Sequence, residues 1–171
     1  IGGSIPLTTV EGCVAGAATP AVFTVAALES LGLTIDDTCT DKADLVVTSL
    51  DTSMGTCPIV VTRTYTVTDD CGNFATYDQT INVDDQTAPT LTGTLPTGAT
   101  NQDLCFSSIP TGPTESAIAA LYTDNCGGAI TVVKSGTPTG NDCSWSVTYN
   151  YTVEDKCGNA IASPLAITYS G

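Results

Sequence analysis

Histidine is absent from the 171 residues, and basic side chains nearly so: four Lys and Arg stand against 18 Asp and Glu, a formal charge of -14. Without histidine there is no Ser-His-Asp triad, no Cys-His nucleophile pair and no histidine-based zinc site. Without a basic footprint, nucleic acid and anionic membrane surfaces are poor partners. Long apolar runs are missing too. None approaches the ~20 residues that span a bilayer, so no direct membrane insertion is expected. No basic segment leads into an apolar one as in a signal peptide.

What fills the space is threonine, at 31 residues, alongside valine and tyrosine. These side chains suit a pleated, half-buried surface, and the composition predicts an all-β protein. There are eight cysteines, with no C-x-x-C pair among them. That pattern argues against zinc, iron–sulfur and thioredoxin-like chemistry and for structural disulfides, hence an oxidising, extracytoplasmic location.

The chain repeats itself. Val61–Asn73 reads VTRTYTVTDDCGN and Val147–Asn159 reads VTYNYTVEDKCGN, identical at nine of thirteen positions. The cysteines fall into two matching sets, Cys13, Cys39, Cys57, Cys71 and Cys105, Cys126, Cys143, Cys157. Residues 1–86 and 87–171 are therefore expected to be two tandem domains. The linker-like Asp84–Thr90 has no counterpart before Ile1, so the chain is expected to be cut from a longer array.

Within each repeat, alternation over Cys57–Cys71 puts Val61, Arg63, Tyr65 and Val67 on one face and Thr62, Thr64, Thr66 and Thr68 on the other, a half-buried strand. Trp145, Tyr149 and Tyr151 share the inward parity of Val147 and Val153, which makes them core rather than a sugar-stacking platform. Phe74–Val83 and Ala160–Tyr169 read as hairpin partners. Leu45–Leu50 and Ile130–Ser135 read as further strands. Thr24–Gly32 and Pro113–Leu121 read as short helices covering a sheet.

Cysteines at the two ends of one long strand lie roughly 46 Å apart, too far for a bridge. On an immunoglobulin-like path, Cys39 starts its strand at the end where Cys71 sits, and Cys13 meets Cys57 at the other. The expected pairs are Cys13–Cys57, Cys39–Cys71, Cys105–Cys143 and Cys126–Cys157.

Tyr65–Asn73 (YTVTDDCGN) followed by Ile81–Pro89 (INVDDQTAP) resembles HYR-like repeats, immunoglobulin-like modules found in long arrays. The cysteine- and threonine-rich form with its AALESLG helix resembles repeats of SprB-type gliding adhesins of Bacteroidota, exported by type IX secretion. The resemblance implies two tandem immunoglobulin-like β-sandwich repeats, each with a helical insertion and two disulfides. It also implies a non-enzymatic stalk or adhesive role in surface attachment or gliding motility, outside the cell at its surface. The expected partners are neighbouring repeats, surface polysaccharide or an abiotic surface. The rival reading is a carbohydrate-binding or accessory module of a secreted enzyme.

Acidic residues cluster in turns and in the linker. Asp84, Asp85, Asp124 and Asp155 are candidate Ca²⁺ ligands at the inter-repeat junction, since hard oxygen donors suit that ion. Asp36, Asp37, Asp69 and Asp70 form the matching half-site of repeat 1. Against calcium stands the local preference of Asp for turns, and no EF-hand spacing is present. No cofactor is required by this reading. Lys42, Lys134 and Lys156 hold no equivalent repeat positions and read as surface lysines rather than isopeptide donors.

Overall fold

The alternation that marks the long strand builds the centre of each half. The computed structural model describes residues 1–171 and divides into two compact units, Ile1–Asp85 and Gln86–Gly171.

Unit 1 contains β1 (Gly2–Gly3), β2 (Thr8–Glu11), α1 (Val25–Ser30), β3 (Leu33–Thr34), β4 (Val46–Met54), β5 (Ile59–Thr68) and β6 (Phe74–Asp84). A four-stranded sheet runs in the order β2-β6-β5-β4. Its hairpins are antiparallel, whereas β2 pairs parallel with β6, Thr8 opposite Ile81. The second layer over the inner face is small. It consists of α1 and the β1–β3 ribbon rather than a full second sheet.

Helix α1 starts where Thr24 accepts the Ala27 N–H on its Oγ1 at 3.2 Å, satisfying one donor that the first turn leaves unpaired. Val25 and Leu28 are buried against Leu33, Ile35, Val47, Tyr65 and Val67. Full burial of a side chain the size of Leu28 stabilises the unit by about 1.5–3 kcal/mol.

Unit 2 repeats the plan with β7 (Thr90–Leu91), α2 (Glu115–Ala119), β8 (Tyr122–Thr123), β9 (Thr131–Ser135), β10 (Thr139–Asn141), β11 (Ser144–Glu154) and β12 (Leu165–Ser170). Here β9 and β10 both pair with β11, as two pieces of the edge that β4 forms in one run. The break falls at Gly136–Pro138. Gly136 has φ +137°, and an added Cβ would lie 2.4 Å from the Thr148 carbonyl oxygen, so a side chain is excluded there. Pro138 has no N–H to give to a ladder. The parallel β2–β6 pairing shrinks to one bridge, Ala99 with Tyr169. The strand expected over Ala160–Tyr169 is shorter than that: β12 begins at Leu165, after Pro164.

The cores differ in one respect. Unit 2 has one continuous cluster, Ile118, Tyr122, Val132, Val147, Tyr149, Tyr151, Val153 and Ile167. Unit 1 has two, one around Leu28, Tyr65 and Val67 and one of Val61, Ile81 and Val83. Between them on the inward face lie Arg63 and Gln79, register partners that are each only 4% exposed. At the corresponding rung unit 2 pairs Tyr149 with Ile167.

Each unit holds one disulfide, Cys13–Cys57 in unit 1 and Cys126–Cys157 in unit 2. These bridges suggest an oxidising, non-cytoplasmic environment. The expected bridges Cys39–Cys71 and Cys105–Cys143 are not formed, and all four residues are exposed thiols. In unit 1 a cleft of about 180 Å³, lined by Asp36 and Asp37 on one side and Asp69 and Asn73 on the other, opens between the two cysteine-bearing turns. In unit 2 the Asp142 carboxylate ties the two segments instead, taking the Phe106 N–H at 2.7 Å, with both sulfurs left on the surface. No helix is long and apolar enough to cross a membrane.

Candidate functional site

The repeated Asp-x-Cys-Gly-Asn motif is a turn built around its aspartate. Asp69 Oδ1 accepts the N–H groups of Cys71 and Asn73 at 2.9 and 2.8 Å, and Oδ2 accepts Asn73 Nδ2 at 2.7 Å. Asp155 repeats this with Cys157, Asn159 and Asn159 Nδ2 at 2.6, 2.9 and 2.7 Å. The glycine supplies the left-handed step, φ +86° at Gly72 and +89° at Gly158. A shorter version lacking the asparagine holds Asp37, whose Oδ1 accepts from Cys39 and Thr40, and Asp124, whose Oδ1 accepts from Cys126 at 2.8 Å.

Electrostatics follow from these bonds. The Asn73 side chain, with backbone N–H groups behind it, holds the Asp69 carboxyl below its ordinary value of 3.8. Burial pushes Asp155 up, but the hydrogen bonds from Asn159, Cys157 and Gly158 outweigh it and leave that carboxyl lowered as well.

In unit 2 the Cys126–Cys157 bridge ties the Asp124 turn to the Asp155 turn, and carboxylate oxygens of Asp124 and Asp155 come within 4.8 Å of one another. Asp155 already accepts on both oxygens, while Asp124 Oδ2 accepts no hydrogen bond. Two carboxylates so held suit a hard cation as part of its shell, short of the six to eight oxygens that Ca²⁺ takes. Asp84 and Asp85 belong to unit 1, where Asp84 ends β6 opposite Glu11.

The outer face of the unit 1 sheet mixes rows of threonine with the exposed apolar side chains of Val46, Leu50, Met54 and Phe74. Cross-strand rows run Thr48–Thr66–Thr76 and Thr52–Thr62–Thr80 over β4, β5 and β6. The row between them is Leu50–Thr64–Asp78, in which Thr64 Oγ1 donates to Asp78 Oδ1 at 2.6 Å. Hydroxyl and methyl groups therefore recur every ~4.8 Å across strands and every ~6.7 Å along them. Asp78 is the sole carboxylate of these rows, on a chain carrying 18 acids. In unit 2, Thr148 and Thr168 face each other at 2.9 Å on the same side of β11 and β12.

The inward aromatics are core. Trp145 is 3% exposed and donates its indole N–H to the Leu104 carbonyl at 2.8 Å. Tyr149 and Tyr151 donate to the carbonyls of Pro110 and Pro113. Gly112, at φ +67°, lets the backbone pass against those rings, since an added Cβ would meet Tyr149 at 2.7 Å. The lysines have separate partners. Lys42 pairs with Glu29 and Asp36, Lys134 donates to the carbonyls of Thr111 and Pro113 over the Tyr149 ring, and Lys156 donates to the Cys126 carbonyl.

Arg63 is the ion pair that sequence reading passed over. Its Nε and Nη2 donate to the two Asp51 oxygens at 2.8 and 2.7 Å, and Nη1 donates to the Thr19 carbonyl at 2.7 Å. The guanidinium holds Asp51 below its ordinary carboxyl value. A charged residue at an inward strand position was the available signal, because a buried charge requires a partner.

No family model matches the chain, and no curated protein matches it either.

Proposed function

We propose that the chain is a pair of non-enzymatic stalk repeats from a large secreted cell-surface adhesin, touching polysaccharide or an abiotic surface through its threonine-lined sheet. The observation that carries this reading is the near-neutral face of β4, β5 and β6. A strongly acidic protein that places only one carboxylate, Asp78, among these threonine rows retains a surface able to approach hydroxylated material at low electrostatic cost. The duplicated sequence and the disulfide in each unit suit a load-bearing array outside the cell. The likeness to SprB-type gliding repeats gives the same direction, with immunoglobulin-like architecture, type IX export and outer-membrane association as its further content.

Catalysis gains no support from the acids. A glycosidase needs two carboxylates facing across a cleft, and in the unit 1 cleft Asp37 and Asp69, like Asp155 in unit 2, use their oxygens to hold turns. Ca²⁺ is proposed at Asp124 and Asp155 as a stiffener of unit 2, resting on their proximity and on the free Asp124 Oδ2.

The test is adsorption of the chain to sensors coated with insoluble neutral polysaccharide, a neutral hydroxyl-terminated monolayer or an anionic polymer. Retention on the first two and not on the third is expected. Absence of retention on every coating contradicts the adhesive reading. Selective capture by a single soluble oligosaccharide without retention on the hydroxyl-terminated monolayer favours the accessory-module alternative.

A further inference from the structure

Unit 1 contains a cavity of about 340 Å³ whose walls include Ile5, Pro6, Pro20 and Val22 and whose polar groups include Tyr65 and Gln79. Gln79 is 4% exposed, and its Oε1 is buried and accepts no hydrogen bond. An amide oxygen left in that state is desolvated without compensation and destabilises the folded unit. The fold does not require it, because unit 2 places Ile167 at the same rung. Tyr65 adds a second polar group. Its hydroxyl accepts the Val22 N–H at 3.3 Å, so its own proton is left to donate, whereas its counterpart Tyr151 gives that proton to the Pro113 carbonyl.

We propose that this cavity binds one neutral pyranose ring, with Gln79 Oε1 accepting from a ring hydroxyl, Tyr65 donating to another, and the C–H face of the sugar lying on Pro6 and Pro20. Charge selects the class. The nearby Arg63 guanidinium is bound to both Asp51 oxygens and to Thr19, so no unpaired charge faces an anionic ligand. No carboxylate lines the cavity to receive a cationic one. Size limits it to a single ring, since the volume is at the lower end of ligand pockets. Apolar walls with a few convergent polar groups are the usual form of such sites. The proposal goes beyond adhesion through the sheet face, which lies on the opposite side of the same strands and stands or falls separately.

The experiment is an NMR titration of the full 171-residue chain with the methyl pyranosides of glucose, mannose and galactose, with glucuronate and glucosamine as charged controls. Expected is a saturable shift of the Gln79 side-chain amide and of Tyr65 by at least one methyl pyranoside. The charged sugars should bind about tenfold or more weakly, the cost of one poorly matched charge. Gln79→Ile, which copies the unit 2 rung, should lower affinity about tenfold with resonances of unit 2 unmoved. If that variant does not fold, Tyr65→Phe serves the same comparison. Titration curves in which no sugar moves Gln79, or in which Gln79 contacts an internal water only, overturn the proposal. A neutral hydroxyl-terminated monolayer carries no sugar ring, so adsorption to it reads the sheet face alone and the two readings fail independently.

Discussion

Asp155 and Asn159 close one turn on each other: the Asn159 side-chain amide donates to Asp155 Oδ2 at 2.7 Å, and the Asp155 N–H donates to the Asn159 carbonyl at 3.1 Å. Asp69 and Asn73 do the same in unit 1, at 2.7 and 2.9 Å. The motif that made the duplication visible is thus a structural device with a definite charge state.

Both aspartates are held below their ordinary 3.8 in the folded chain, so the folded state favours the ionised form. Their contribution is present above the unfolded value and is lost as pH falls through the lower folded values. Thermal unfolding followed from pH 7 to pH 2.5 should give a steady midpoint down to about pH 4 and a decline below it. Asp155→Asn should be less stable than the parent by about 1.5–3 kcal/mol at pH 7. The gap should narrow in acid.

Asp51→Ala leaves the Arg63 guanidinium buried without its counter-charge. Breaking a fully buried pair costs about 3–5 kcal/mol, and the partial exposure of Asp51 places this case near or below the low end. The double variant Asp51→Ser with Arg63→Tyr, which brings in the aromatic that unit 2 carries at that rung, should recover much of the loss. Urea denaturation of the three proteins checks the order.

The four exposed thiols sit on segments equivalent to those bridged in the other unit. Treatment with a disulfide exchange reagent such as oxidised glutathione should close Cys39–Cys71 and Cys105–Cys143, each bridge passing two electrons and two protons to one reagent disulfide, which leaves as two thiols. Non-reducing peptide mapping reads the pairs, and recovery of Cys39 joined to Cys105 contradicts the expectation. Each closed bridge should add about 2–4 kcal/mol of stability.

Calcium added after chelation should raise the melting midpoint and release heat in calorimetry. Asp124→Asn should abolish both. A flat titration assigns the two carboxylates to turn structure alone.

Much of this was legible in the sequence because threonine parity in Thr62–Thr68 and valine parity in Val147–Val153 report directly on which face is buried. The N-cap threonine Thr24 likewise announces its helix, since a side-chain acceptor followed by an apolar helical run has few other uses, and the second helix follows from the repeat, with Thr114 as its cap. What sequence did not convey depends on partners far along the chain. Arg63 could be read as inward, but its match with Asp51 requires the register of β4 on β5. The sandwich expected from the immunoglobulin-like path has a reduced second layer, because Gly2–Gly3 and Leu33–Thr34 are too short to make a full sheet. Which cysteines of each unit are bridged is not reported by spacing along the chain.

The central claim is that the threonine rows of unit 1 make the contact. Retention of the chain on a neutral polysaccharide sensor, compared with a Thr62→Lys and Thr66→Lys double variant of unchanged melting midpoint, tests it most directly. Two charges forced onto the contact face should lower retention at least about tenfold. Equal retention of the two proteins would contradict the account.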